Sequence, residues 1–286
     1  MSTCYIPENL TEALEIRKKT HAIPLAGGTD LMVQAKNGIG VNPSFPSPVM
    51  IITNLKELRG IRVEDDGTLV IGALATSSEI AHDERVFFHI RKAASQMGAV
   101  SLRNTATIGG NIANASPKGD LPQPLILLDA DLVLSSIDGE RTVKVDDFIT
   151  GAKKTILRDD EIIKEIRVSP VKATHYFYHK IGTRKANAIS KLSLSVLVDV
   201  EEGIIKDFRA SSGASGDKVK RSRDAEMILI GRAVAEIPSY VDEFTNAWNR
   251  ILSPHAMPEY RRESTKRMLK DFLLKIAEGA EPGIYE

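Results

Sequence analysis

Residues 101–120, Ser-Leu-Arg-Asn-Thr-Ala-Thr-Ile-Gly-Gly-Asn-Ile-Ala-Asn-Ala-Ser-Pro-Lys-Gly-Asp, decide how this chain is read. The run is dense in Gly, Ser, Thr and Asn but carries few charges, and Ile108, Ile112 and Ala113 are interleaved among its small polar residues. A solvated linker would carry more Lys and Glu and would lack that apolar spacing. The run therefore reads as a functional loop folded around something. At its centre stands Thr107-Ile108-Gly109-Gly110-Asn111, and well upstream a second glycine pair occurs in Leu25-Ala26-Gly27-Gly28-Thr29-Asp30-Leu31. Paired glycines let a backbone come close to a ligand and adopt positive φ, so that successive N–H groups converge on an anion. Thr29 and Thr107 can add hydroxyl donors. Taken singly, either loop also reads as a tight turn.

Context favours a pyrophosphate cradle. The first loop follows the apolar stretch Ile23-Pro24-Leu25-Ala26 and precedes Asp30 to Lys36, which reads as a short helix ending at Asn37-Gly38. That order of strand, glycine turn and helix would bring amide donors and a helix dipole to the turn. Neither Gly-x-Gly-x-x-Gly nor Gly-x4-Gly-Lys-Ser/Thr occurs between a strand and a helix, so a nucleotide site here is neither a Rossmann nor a P-loop site.

These segments, together with Phe177-Tyr178-His179-Lys180-Ile181-Gly182-Thr183-Arg184-Lys185-Ala186, resemble the FAD-binding medium subunit of the xanthine dehydrogenase and carbon monoxide dehydrogenase family, the molybdenum hydroxylases. The likeness covers nearly the whole chain. It implies an α+β fold in two parts: an FAD-binding domain of the PCMH type over residues 1–170 and a smaller C-terminal α/β domain with an antiparallel sheet over 171–286. It implies non-covalent FAD held by Leu25, Ala26, Gly27, Gly28, Thr29, Asp30 and Leu31 and by Thr107, Ile108, Gly109, Gly110 and Asn111. By position in the family pattern it adds Met97, Asp120 as an acidic ligand, Ile163 against the flavin ring and Lys180 beside it. It also implies an oxidoreductase subunit that works by electron transfer. Its partners would be a large molybdopterin-binding subunit and a small subunit with [2Fe–2S] clusters, and electrons would leave to NAD or another acceptor. A self-contained FAD-dependent oxidase or reductase would need its own substrate base, and no His, Tyr or Glu constellation for one stands out. A third reading, a nucleotide-sensing module without redox function, differs in carrying no reducible flavin.

Composition agrees. A chain of 286 residues, 42% of them apolar, is long enough for one large or two modest domains. Equal numbers of basic and acidic residues, 38 each, give no net field that would favour nucleic acid or an anionic membrane. The single cysteine, Cys4, precludes an internal disulfide and falls short of the roughly four thiolates of an iron–sulfur cluster. No signal-peptide pattern or long apolar run appears, so a cytoplasmic location is expected.

Along the chain, Asn9 and Glu12 have capping-box spacing ahead of a helix through Lys19, and Val49 to Ile52 reads as a buried strand. Asp65-Asp66-Gly67 joins a hairpin of Ile61–Val63 and Leu69–Ile71. A helix is expected over Ser78 to Met97 and a buried helical turn over Pro124 to Leu128. Leu132–Leu134 is expected to pair with Thr142–Lys144. Beyond a boundary near Pro170 come strands at Ser193–Val200 and Ile204–Ala210, then helices at Asp224–Leu229, Val241–Leu252 and Pro258–Glu278. Ser211 to Gly216 reads as a turn, and the cationic clusters Lys218–Arg223 and Arg261–Lys270 as solvated faces. His175 and His179 share a strand face without a nearby acidic third ligand, which disfavours a metal. His21 reads as a surface histidine rather than a flavin attachment point.

Overall fold

The computed structural model describes residues 3–36 and 38–285. The first helix, α1 (Leu10–Thr20), starts where Asn9 Oδ1 accepts from the Glu12 amide at 3.0 Å, and it stops at His21 in a left-handed conformation. The Glu12 carboxylate reaches back to the Glu8 amide at 2.7 Å, one residue beyond the capping-box partner. Its buried Ala13 and Leu14 share a core with Met50 of a small parallel sheet ordered β1 (Cys4–Tyr5), β3 (Val49–Ile51), β2 (Ile23–Leu25). The first glycine segment leaves β2 and enters α2 (Leu31–Gln34), a single turn. Asn37, expected at the end of that helix, lies outside the described residues.

A five-stranded antiparallel sheet follows, ordered β4 (Ile61–Val63), β5 (Leu69–Gly72), β10 (Ile162–Val168), β6 (Asp131–Ser136), β7 (Gly139–Lys144). Both expected hairpins form: Ile61 pairs with Ile71, and Leu132 with Val143. The Gly67 turn needs φ +83°, which glycine adopts without strain.

Helices cover this sheet. They are α3 (Ser77–His82), α4 (Phe88–Ser95), α5 (Val100–Arg103), α6 (Ile108–Ala113), α7 (Pro122–Leu127) and α8 (Val145–Phe148). The single helix expected over Ser78–Met97 is two. Asp83 turns extended, with φ −90° and ψ 111°, and its carboxylate takes Arg85 Nη2 at 2.6 Å. That turn lets Ile80, Val86 and Ile90 all enter one core with Ile71, Ile108 and Leu125. A short hairpin of β8 (Ile149–Gly151) and β9 (Lys154–Thr155) leads back to β10.

The second core lies on a sheet ordered β13 (Ile204–Gly213), β12 (Leu192–Glu201), β11 (His175–Ile181), β14 (Gly283–Tyr285), in which the edge strand β14 runs parallel to β11. Against it pack α10 (Ile237–Ile251) and α11 (Pro258–Ala277), placing Phe208, Phe244, Trp248 and Phe272 out of water, with α9 (Arg223–Glu226) beside them. Each such side chain contributes on the order of 1.5–3 kcal/mol.

Three expectations about this half are corrected. Ser211, Ser212 and Gly213 are buried strand residues, not a turn. Small residues are required because α7 lies on this end of β13 and β12 runs beside it: Gln123 Nε2 of α7 donates to the Ser211 carbonyl at 2.7 Å, and a Cβ on Gly213 would sit 2.4 Å from Ser193 Oγ of β12. In the cluster 218–223, the Arg221 side chain is only 4% exposed, with Nε on Glu226 at 2.9 Å and Nη1 on the Ile126 carbonyl at 2.8 Å. In the cluster 261–270, Arg261 is also buried and donates to the Ala214 carbonyl. Periodicity sees a charge but cannot see a carbonyl delivered from elsewhere in the chain.

Candidate functional site

The two glycine segments meet. A Cβ on Gly27 would lie 1.8 Å from the Thr105 carbonyl oxygen, so only glycine lets these two stretches of backbone touch. Gly28 has φ +68° and begins the turn in which the Met32 amide donates to the Gly28 carbonyl at 2.9 Å. In the second segment Thr107 caps α6, its Oγ1 accepting from the Gly110 amide at 3.2 Å. Gly109 packs on Ala73: its amide donates to the Ala73 carbonyl at 2.9 Å, and a Cβ would stand 2.8 Å from Ala73 Cβ. Thus Gly109 and Gly110 are helical, and of the four glycines only Gly28 takes positive φ. The expected pair of open nests is corrected accordingly. Gly27 and Gly109 serve close backbone packing, whereas a Cβ on Gly110 would meet only Thr107 Oγ1 within 4 Å, at 3.0 Å. The helices behind both segments are a turn or so long, too short for the expected dipole argument.

Between the small sheet and the five-stranded sheet this contact leaves a cavity of about 400 Å³, within the range typical of ligand sites. Of the residues expected to hold a ligand, Leu25 through Leu31, Thr107, Gly109, Gly110, Asn111 and Ile163 line it. Ile108 does not; it is fully buried in the core beneath. A second cavity of about 400 Å³ adjoins the first, sharing Gly27, Leu74 and Thr107 as a common wall.

Met97, Asp120 and Lys180 lie behind Asn111 rather than in the wall. Asn111 Nδ2 is 3.7 Å from Met97 Sδ, and Asn111 Oδ1 accepts from the Leu121 amide at 3.3 Å. Lys180 Nζ donates to Asp120 Oδ2 at 2.8 Å and to the Gln96 carbonyl at 3.0 Å, with both side chains under a tenth exposed. Burial pushes the Asp120 carboxyl above the usual aspartate range, and the Lys180 ammonium opposes that shift. Asp120 Oδ1 and Tyr178 Oη are buried without a hydrogen-bond partner, and burial raises the Tyr178 phenol well above its ordinary value. A buried carboxylate oxygen left unpartnered is costly.

Sequence reasoning missed Arg17, Gln34, Asn114, Lys153 and Leu157, all of which line the cavity. Arg17 comes from α1 and is spent on backbone, with Nη1 on the Ala22 carbonyl at 2.8 Å and Nε on the Glu161 carbonyl at 3.2 Å. Lys153 comes from the β8–β9 turn, which carries no motif. The histidines stand elsewhere. His175 Nε2 faces the Ala280 carbonyl at 3.1 Å, His179 is exposed on the same strand, and His21 lies 3.1 Å from Asp159. Among the described residues no group of three His, Cys, Asp or Glu side chains could hold a metal. No helix among them is long and apolar enough to cross a membrane.

Comparison with known proteins agrees with this architecture. Residues 1–170 match the family described as the FAD binding domain in molybdopterin dehydrogenase, and residues 177–276 match the CO dehydrogenase flavoprotein C-terminal domain. The nicotinate dehydrogenase FAD-subunit of Eubacterium barkeri is 31% identical over 99% of this chain and 98% of its own length. The glyceraldehyde dehydrogenase medium chain of Sulfolobus acidocaldarius is 28% identical over 94% and 96% of the two chains. In solved structures, a chain of the carbon monoxide dehydrogenase from Hydrogenophaga pseudoflava superposes with a TM-score of 0.87 at 26% identity, covering 98% of each chain.

Proposed function

The chain belongs to the family of FAD-binding medium subunits of the xanthine and carbon monoxide dehydrogenases, and we propose that it holds one FAD non-covalently in the cleft between the two glycine segments. The observation that carries this reading is the contact of Gly27 with the Thr105 carbonyl, which sets both glycine segments against one cavity. The residues present fit the cofactor: Gly110 opens toward the cavity, and Asp120 holds a buried oxygen without a partner. The cradle proposed is Leu25 to Leu31 with Thr107, Gly109, Gly110 and Asn111, with Ile163 supplying an apolar wall. Ile108 supports that cradle from the core, and Met97 supports Asn111 from behind. Asp120 Oδ1 is proposed to accept from a ligand hydroxyl, with Lys180 holding the carboxylate in place from the opposite oxygen. FAD, when bound, supplies one- and two-electron redox chemistry.

The chain's role is then electron transfer within a larger oxidoreductase. We assign the substrate site to a large molybdopterin-binding partner and the iron–sulfur clusters to a small [2Fe–2S] partner, with NAD or another acceptor taking the electrons. Residues 1–170 and 171–286 are the two domains of this reading. Affinity capture of the chain from its native source, followed by metal analysis, tests the complex. A large molybdenum-containing chain and a small iron–sulfur chain should co-purify, and substrate oxidation should follow them. Robust oxidation of a purine, an aldehyde or carbon monoxide by this chain alone would overturn the assignment.

A further inference from the structure

The geometry points to Lys153 as the residue that neutralises the cofactor's pyrophosphate from the mouth of the cleft. This rests on the FAD reading above. Lys153 lines the same cavity as both glycine segments. Among the described residues the wall holds one other cation, Arg17, whose hydrogen bonds go to the carbonyls of His21, Ala22, Arg158 and Glu161. Lys153 instead donates to the neutral Asn114 side chain, and no ion pair to a carboxylate is found for it among the described residues. Asn114 is positioned from the glycine segment itself, because its amide donates to the Gly110 carbonyl at 3.0 Å. Across the mouth, Gln34 Nε2 donates to the same Asn114 oxygen at 3.0 Å, so this amide oxygen orients the ammonium beside both segments.

The backbone is built to bring the lysine there. Lys153 has φ +60° and its amide donates at 2.8 Å to the carbonyl of Ala115, which has φ +45°. Two non-glycine residues in the left-handed region are unfavourable, and such strain persists where the surroundings enforce it. Here it pins the β8–β9 turn to the exit of α6. A pyrophosphate carries negative charge into a wall that already holds the Asp30 carboxylate, which makes no capping bond. A cation with uncommitted donors offsets that repulsion.

Titration of the deflavinated full chain with FAD, at low and high ionic strength and with ADP and adenosine as competitors, tests this. Lys153→Met should weaken FAD and ADP about tenfold at low salt, toward the low end of what a charge-assisted hydrogen bond supplies, and flatten the salt dependence. Adenosine, which lacks the phosphates, should bind equally well to both proteins. Lys153→Arg should restore most of the affinity, and Lys154→Met should leave it unchanged. FAD affinity and salt dependence in a folded Lys153→Met protein equal to wild type would overturn the assignment. If the wild-type chain binds no FAD, the FAD reading itself fails and this inference with it.

Discussion

At His89 the imidazole is enclosed between α4 and the second sheet, its Nε2 facing the Val196 carbonyl at 3.0 Å and the Phe177 carbonyl at 3.2 Å. Burial lowers its pKa to about 4 from an ordinary 6.5. Because the folded value is the lower one, the unfolded chain binds the extra proton between those limits. Stability from this group is therefore complete above pH 6.5 and shrinks as pH falls toward 4. From pH 7.5 to 5 the loss should be about 2 kcal/mol. Denaturant unfolding at the two pH values should show that slope in wild type and a shallower one in His89→Gln, which keeps an N–H donor but does not titrate. Equal slopes would remove His89 from acid sensitivity. Neither the burial of this histidine nor the pairing of Lys180 with Asp120, which the family pattern assigns to the site singly, could be read from sequence, because each depends on carbonyls or charges far away in the chain. The glycines were visible, but their separate duties at Gly27, Gly109 and Gly110 were not.

Among the elements, those legible in the sequence carry their own local signal. Asn9 caps α1, the Asp65-Asp66-Gly67 turn closes its hairpin, and α11 spans Pro258–Ala277 against an expectation of Pro258 to Glu278. What differs from expectation depends on tertiary contact: the break at Asp83, the enclosed Arg221 side chain, the buried Arg261, and the strand at Ser211. The glycine segments separate packing from binding in a way that two substitutions can read. Gly27→Val drives a side chain into the Thr105 carbonyl, so it should lower stability by several kcal/mol and reduce yield of folded protein. At Gly110 a Cβ would meet only Thr107 Oγ1, so Gly110→Val should fold with a stability change of about 1 kcal/mol, the order of a β-branched helix substitution, yet lose most of its FAD. Thermal melts and flavin content of both proteins check this. A folded Gly110→Val with unchanged FAD affinity would remove α6 from the cradle.

For the whole molecule, the two halves share a continuous seam: Tyr178, Leu197 and Val219 enter the first core, and buried hydrogen bonds cross beside them. Gln123 Nε2 and the Ser211 carbonyl bond at 2.7 Å, and Ser195 Oγ donates to Gln123 Oε1 at 2.9 Å. Such a seam leaves the cavity with its own walls in the first half of the chain, while the second half supplies Lys180 and Tyr178 behind it. The two-part α+β architecture was legible because the pattern changes near Pro170 from helices on a sheet to long strands followed by helices. The position of Lys153 was not, since a turn lysine has no periodicity to betray it. The central claim is one FAD held without a covalent bond. Acid precipitation of the protein purified from its native source, followed by identification of the released flavin, tests it most directly. About one FAD per chain should appear in the supernatant; a colourless protein, released FMN, or a yellow chromophore kept in the pellet would contradict the account.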